Sequence, residues 1–255
     1  PLGQGFAMAV GLAIAAKMKG RANHTWVFCG DGDMEEGISH ECASLAGTLK
    51  VSGLTAIYDF NDIQIEGHVT DTNRDDVKKR FQACGWKVLE IDGHDYGQID
   101  KAFKKAQKTM DAPVIIIAKT IIGKGSPNKA GTHSCHGAPL GADEIAATKI
   151  ALGFDAEKSF FVPDEVYSLF AARAKKCRRL RNKSVKSEKP QDTSKSFDRQ
   201  ALLAALPSFD PGKPQATRNA NGVVMNALAD VCPNLVGGSA DLEGSNKTGL
   251  KKYGW

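Results

Sequence analysis

The stretch His24-Thr25-Trp26-Val27-Phe28-Cys29-Gly30-Asp31-Gly32 decides the fold class, because a short apolar run that stops at glycine reads as a strand delivering a polar loop. Beyond it, Ile38, Cys42, Leu45, Ala46 and Leu49 recur at helical spacing, which predicts a helix over 36–50 with these residues facing inward. Leu54 to Phe60 is a second strand-like run, and it ends at Asn61-Asp62. Upstream, Gly5 to Lys19 reads as a small-residue helix. Downstream come a strand over 87–91, a helix with Tyr96, Ile99, Ala102, Phe103, Ala106 and Met110 on one face, and a strand over 113–120. Strands alternating with helices predict an α/β fold with a mainly parallel sheet flanked by helices.

Ligands on such sheets bind beyond the carboxyl ends of the strands. Gly30–Gly32, Asn61–Ile65 and Ile122–Gly137 all follow strand ends, so three polar loops are expected to converge on one crevice. A hard divalent ion such as Mg2+ takes oxygen ligands, typically one or two from protein carboxylates or carbonyls and the rest from phosphate and water. Asp31 offers a carboxylate and Asn61 an amide oxygen, while the glycines allow close backbone approach to a phosphate. A lone Gly-Asp-Gly is usually only a turn. What gives this one weight is Asn61 at the next strand end, with twenty-eight residues between it and Gly32.

Composition narrows the function classes. With 255 residues, 42% of them hydrophobic and 25% charged, the chain suits one or two ordinary globular domains and excludes a disordered or collagen-like protein. The net charge of +5 invites a nucleic-acid partner, but residues 171–200 hold eleven Lys or Arg against three Asp or Glu. That net +8 leaves the rest of the chain at −3. The basic segment reads as an exposed helix end and linker, poor in aromatic residues that would stack on bases, so no nucleic-acid partner is expected. The longest apolar runs, such as Pro113 to Ala118, fall far below the roughly 20 residues of a membrane span. Six cysteines without a Cys-x-x-Cys pair read as reduced thiols of a cytosol-like compartment. Pro1-Leu2-Gly3-Gln4-Gly5 shows no initiator Met and no signal-peptide order, so the chain is expected to begin mid-protein.

Past the sheet, Pro163-Asp164-Glu165 signals a helix start, and a helix over 161–177 is expected to pack on the same domain. A linker follows. Then come a helix over 216–229, a strand over 234–238 and a loop over 239–246, a piece too small to be stable alone.

Gly30-Asp31-Gly32 followed at this distance by Asn61 resembles the signature of thiamine-diphosphate enzymes. The longer context, Gly30-Asp31-Gly32-Asp33-Met34-Glu35-Glu36-Gly37-Ile38-Ser39-His40-Glu41 and then Ser44-Leu45-Ala46-Gly47, resembles the transketolase family of bacteria, yeast and plants. So do Pro1-Leu2-Gly3-Gln4-Gly5, Ile91-Asp92-Gly93-His94-Asp95, Gly125-Ser126-Pro127-Asn128-Lys129-Ala130-Gly131-Thr132-His133 and His136-Gly137-Ala138-Pro139-Leu140-Gly141. The likeness runs over nearly the whole chain and is weakest in the linker.

This resemblance implies residues 1–185 as a diphosphate-binding domain lacking its amino-terminal part, 186–214 as a linker, and 215–255 as the beginning of a pyrimidine-binding domain. It implies thiamine diphosphate and Mg2+, with Ca2+ or Mn2+ as alternatives. The metal would be held by Asp31, Asn61 and the carbonyl of Ile63. Gly32 and Asn61 would touch the diphosphate, Pro1 and Leu2 would lie near the thiamine, and Ile65 would press on the cofactor's apolar middle. His136 would face both the diphosphate and the reacting sugar as the catalytic histidine, whereas His24, His40, His68 and His94 read as structural. Arg218 and Ser245 would bind the phosphate of a sugar phosphate. Asp241 and Leu242 would meet thiamine held mainly by another subunit, with Glu36 and Glu41 near the interface of a homodimer.

The implied reaction is transfer of a two-carbon ketol unit from a ketose phosphate such as xylulose 5-phosphate to an aldose phosphate such as ribose 5-phosphate. The resemblance implies a place in the pentose phosphate pathway or the Calvin cycle, in the cytoplasm, or in a plastid if the source is a photosynthetic eukaryote. The family's first hundred or so residues and most of its pyrimidine domain are absent, so the chain alone is not expected to turn over efficiently. Asp33 adds a carboxylate beside the metal turn and reads as solvated. For Lys124, altered loop packing and a phosphate contact both stay open. Alternatives are another thiamine-diphosphate enzyme, such as dihydroxyacetone synthase or deoxyxylulose phosphate synthase, and a non-catalytic fragment that binds cofactor or a partner chain. The segment 131–137 and the Arg218/Ser245 pair favour transketolase.

Overall fold

In a computed structural model, which describes residues 1–187, 198–232, 235–239 and 241–253, four strands form one wholly parallel sheet in the order β1-β2-β4-β3. They are β1 (Thr25–Cys29), β2 (Leu54–Phe60), β3 (Lys87–Asp92) and β4 (Val114–Lys119). Helices α1 (Gln4–Met18), α2 (Asp31–Glu35), α3 (Gly37–Thr48), α4 (Val77–Ala83), α5 (Tyr96–Lys108) and α6 (Ala142–Ala151) accompany the sheet. The parallel α/β class expected from the sequence is the one observed.

Both faces of the sheet are covered at its centre, and β4 shows how. Val114 and Ile116 join Ile57 beneath Ala102 and Ala106 of α5, while Ile115 and Ile117 join Phe6, Val10, Met34, Ala46 and Leu54 on the opposite face. A strand buried on both sides needs no polar alternation, which is why its run of apolar residues is unbroken. Ile115 and Ile116 are fully buried, and each contributes about 1.5–3 kcal/mol of burial.

Several elements differ from expectation. Gly30-Asp31-Gly32 is not a loop: Gly30 is extended and Asp31 opens the single turn of α2, whose first turn holds Asp31 and Asp33. Of the residues expected to face inward, Ala46 is buried and Cys42 packs on the core, but the rest of the buried face of α3 is Ser39, Ala43 and Gly47, whereas Ile38, Leu45 and Leu49 are 40%, 48% and 42% exposed. The reason is distance: a Cβ on Gly47 would stand 1.6 Å from the Cys84 carbonyl oxygen, so only small side chains let α3 seat here. The periodicity missed α4, which buries one large residue, Phe81, and starts where the Asp76 carboxylate accepts the Lys79 N–H at 3.0 Å. Phe81 meets Trp86 edge-on with ring centroids 5.0 Å apart. Tyr96 and Met110, expected on the inner face of α5, are 88% and 79% exposed.

The chain divides into two compact units, Pro1–Phe161 and Val162–Trp255. The helix expected over 161–177 is α7 (Asp164–Ser187), begun by the expected signal but grouped with the second unit. That unit also holds α8 (Arg199–Ala205), α9 (Thr217–Val231) and α10 (Glu243–Asn246). Within the stretch read as a linker, Asp198 caps α8 by accepting from Gln200 and Ala201, while 188–197 lie outside the described residues. Of the strand expected over 234–238, residues 235–238 form no strand, and 234 lies outside the described residues. The stretch 239–246 contains α10 rather than a plain loop, with position 240 outside the described residues. Among the described residues no helix is long and apolar enough to cross a membrane.

Candidate functional site

The register of β1 on β2 pairs Cys29 with Tyr58, which sets the Gly30-Asp31 turn beside the end of β2. At the same end, the Thr120 N–H donates to the Phe60 carbonyl at 3.0 Å and the Thr120 hydroxyl bonds the Asp59 carboxylate. Three neighbouring strands therefore deliver their following segments to one edge of the sheet.

Asp31 sits at the centre of this edge and is only 5% exposed. Its Oδ1 accepts the Tyr58 hydroxyl at 2.5 Å. Its Oδ2 is buried and has no hydrogen-bond partner. Burial pushes the carboxyl pKa up, opposed by the Tyr58 hydroxyl and the backbone amides of Asn61 and Asp62, and reinforced by Asp59. These donors offset part of the cost of burying the acid, and a cation on Oδ2, which accepts no hydrogen bond, would offset more. Tyr58 itself is 3% exposed, and its burial, with the bond to Asp31, holds its phenol far above the usual range. Sequence reasoning passed over Tyr58. The available signal was a tyrosine in a strand buried on both faces, whose hydroxyl must find a partner.

Asn61 begins a tight turn. Its Oδ1 accepts the Ile63 N–H at 3.0 Å, and Asp62 takes a left-handed conformation at φ 63°. A small hairpin follows, with the Gln64 N–H on the Gly67 carbonyl and the Val69 N–H on the Asp62 carbonyl, and neither bond uses the carbonyl of Ile63. Ile63 is buried and Ile65 is 68% exposed. His68 holds Asp62 at 3.0 Å, and Gln64 reaches Glu35 of α2 at 2.7 Å. Leu2 lies against Gly32, where an added Cβ would stand 3.4 Å from Leu2 Cδ1. Leu2, Asp31, Gly32, Asn61 and Ile63 are thus gathered in one place. A cleft of about 690 Å3 opens beside them, lined by Asp31, Glu35, Tyr58, Asp62, Thr70 and Arg80 among others.

The third segment is shaped by a residue the sequence did not single out. Glu144 of α6 accepts the Ser126 hydroxyl, the Asn128 N–H at 2.8 Å and the Asn128 side-chain amide at 2.8 Å. These bonds hold its carboxyl down to about 2. Farther along, the Gly131 N–H returns to the Ile122 carbonyl at 2.8 Å, which folds the segment back on itself. His136 stands at the end of a short 3-10 turn, and its buried Nδ1 has no partner. His24 bonds Thr55 at 2.7 Å and His94 accepts the Ile121 N–H at 2.9 Å, so both hold structure.

Arg218 and Ser245 are exposed and lie in the second unit, as do Asp241 and Leu242. Arg218 stands in the first turn of α9 and Ser245 within α10. The segment around α10 is fastened by Asn226, whose amide reaches the Gly222 and Gly249 carbonyls at 2.9 and 3.0 Å and whose Oδ1 accepts the Lys251 N–H at 2.9 Å.

Among the described residues no group of three or more His, Cys, Asp or Glu side chains converges to form a metal cage. A divalent ion at Asp31 would therefore need ligand oxygens from elsewhere, such as the backbone, an amide and a phosphate.

Fold and site together define an open parallel α/β domain with a carboxylate turn at the ends of its strands. Comparison with known proteins carries this further: the family model "Transketolase, thiamine diphosphate binding domain" matches residues 1–205, and the chain belongs to that family. The chromosomal transketolase of Cupriavidus necator is 43% identical over 283 aligned positions, covering 100% of this chain and 42% of the relative. A crystal structure of transketolase from Campylobacter jejuni superposes with a TM-score of 0.88 at 42% identity, over 100% of this chain and 42% of the other. A transketolase from Pichia stipitis in complex with xylulose 5-phosphate gives 0.86 at 35% identity, over 98% and 41%. The chain thus spans less than half the length of the relatives it matches.

Proposed function

We propose that the protein containing this chain is a transketolase, which moves a two-carbon ketol unit from a ketose phosphate to an aldose phosphate with thiamine diphosphate and Mg2+. The observation that carries this reading is the buried, unpartnered Oδ2 of Asp31 at the ends of β1 and β2, in a chain of the transketolase family. The Pichia stipitis relative, bound to xylulose 5-phosphate, supports a ketose phosphate as donor.

Asp31 binds the metal through Oδ2, with the Asn61 side chain and the Ile63 carbonyl completing the protein's share. Tyr58 keeps Oδ1 occupied, so one oxygen only is presented to the cation. Gly32 and Asn61 meet the diphosphate, and Pro1, Leu2 and Ile65 enclose the apolar part of the cofactor. Thiamine diphosphate, when bound, supplies the carbon nucleophile and electron sink that the side chains lack. His136, whose Nδ1 is buried and unpartnered, hydrogen-bonds the diphosphate or the sugar and moves protons at neutral pH. Arg218 and Ser245 take the substrate phosphate through a guanidinium fork and a hydroxyl. Asp241 and Leu242 serve the site of the partner subunit in a cytoplasmic homodimer.

With a single carboxylate in the metal site, Mg2+ and the diphosphate depend on each other for charge compensation. Calorimetry of the complete protein is expected to show weak binding of either alone and strong binding of both together. Asp31→Ala is expected to abolish the Mg2+-dependent part. Unchanged cofactor affinity in that variant overturns the metal assignment, and a donor-acceptor assay with xylulose 5-phosphate and ribose 5-phosphate tests the reaction.

A further inference from the structure

Asp33 is the carboxylate that the sequence left to solvent, and both of its oxygens are engaged by backbone. Oδ1 accepts the Gly3 N–H at 2.8 Å across thirty positions of chain, and Oδ2 accepts the Gly30 N–H at 3.0 Å. Its own carbonyl accepts the Ser39 hydroxyl at 2.5 Å, which fastens it to α3. Gly3 has φ 72°, and a Cβ there would stand 2.7 Å from Ile38 Cγ2 and 2.9 Å from Glu36 Cβ. The amino-terminal loop is therefore pressed into the α2–α3 junction at a point only glycine fits. One residue earlier, Leu2 rests on Gly32.

An acid in the first turn of a helix needs no special role, because the helix dipole favours it there. The Gly30 bond alone fits that ordinary part. The Gly3 bond does not, since it reaches outside the helix to a distant segment.

We infer that Asp33 is a positioning residue for the cofactor: it clamps the Pro1–Gly3 loop to the Gly30–Gly32 turn and thereby holds Leu2 over Gly32 at the cofactor site. The inference rests on the proposed thiamine-diphosphate reading. It assigns Asp33 no contact with the cofactor, only the placing of two segments that meet it.

The test is calorimetric titration of thiamine diphosphate at saturating Mg2+ into the complete protein. The proteins are the unaltered form, Asp33→Ala, Asp33→Asn, Leu2→Ala and the Asp33→Ala/Leu2→Ala double variant, each with a thermal melt of the cofactor-free form. Asp33→Ala is expected to raise the Kd about tenfold, the lower end of what loss of a supporting shell costs a site. Asp33→Asn, which keeps one acceptor, falls between that variant and the unaltered protein. The double variant binds about as weakly as the weaker single variant, because both changes release the same contact.

A lowered Tm with unchanged Kd in Asp33→Ala overturns the inference and leaves Asp33 as a helix cap. So does a double variant whose losses multiply. If Asp33→Ala does not fold, an unchanged Kd in Asp33→Asn is the overturning result. Failure of the unaltered protein to bind the cofactor removes the underlying reading as well, an outcome distinct from tight binding that Asp33 does not affect.

Discussion

Tyr58 and Asp31 form the pair on which the proposed metal site depends. Removing the hydroxyl leaves a second buried oxygen of Asp31 without a donor, at a cost of about 1–3 kcal/mol. Tyr58→Phe is therefore expected to lower the stability of the cofactor-free protein by that amount in urea denaturation. It should also weaken Mg2+-dependent cofactor binding by about 10–100-fold, as loss of a group that orients a ligand does. Equal cofactor affinity in the two proteins would show that Asp31 needs no orienting partner. For Arg218→Ala the expected outcome is a raised KM for phosphorylated sugars with cofactor affinity intact, and a similar loss for unphosphorylated sugars counts against a phosphate contact. Of the proposed site residues, Asp31 was legible in the sequence's own chemistry, because a turn glycine at a strand end marks it, and Asn61 gained its weight from its place at the next strand end. Tyr58 was not legible, because strand periodicity reports that a residue is buried and not which atom it meets.

At the scale of elements, α6 and the segment before it respond to pH through Glu144. Its carboxyl is held near 2 in the folded protein by Ser126 and Asn128, against an ordinary value of 4.5. The folded state therefore binds its proton less readily than the unfolded chain. Its contribution to stability is fully present above about pH 4.5 and is lost as the pH falls toward 2. Urea midpoints measured from pH 2 to 6 should show the unaltered protein ahead of Glu144→Gln near neutrality and the gap closing toward pH 2; a constant gap would exclude the charge as its source. The seating of α3 gives a second prediction. Gly47→Ala puts a Cβ against the Cys84 carbonyl and should cost about 3 kcal/mol, the upper part of the range for overpacking, read as a fall in Tm. Helix existence here was legible from spacing, but of the inward face only Cys42 and Ala46 were. Spacing found the apolar stripe of Ile38, Leu45 and Leu49, while the close approach at Gly47 selected the small-residue stripe instead.

For the whole molecule, that displaced stripe acquires a use. Ile38 and Leu45 of α3 and Leu49 at its carboxyl-terminal cap, with Met8 and Leu12 of α1 at 68% and 63% exposure, leave large apolar side chains uncovered on two helices. The proposed homodimer would cover these side chains, which is what large exposed apolar surface calls for. Replacing Leu12 and Leu45 together by Asp in the complete protein should shift sedimentation toward monomer and reduce cofactor affinity in step. A dimer unaffected by both charges would place the interface elsewhere. The +5 net charge does not bear on this, since it is concentrated in residues 171–200.

By itself the sequence determined the four strands of the sheet, the helices α1, α3, α5, α7 and α9, the parallel α/β class, the carboxylate turn with its distant Asn61, and the family. All of these are written in local chemistry: apolar period, turn glycines and a motif whose spacing is set by one strand-helix-strand unit. Tertiary structure alone decided the strand order β1-β2-β4-β3, the face on which α3 is buried, the Tyr58 partner of Asp31 and the link from Asp33 to Gly3. Each of these joins positions far apart in the chain, and each is settled by close packing and by the need of buried polar groups for partners. Those two constraints act on neighbours in space, and they act only once the chain has folded.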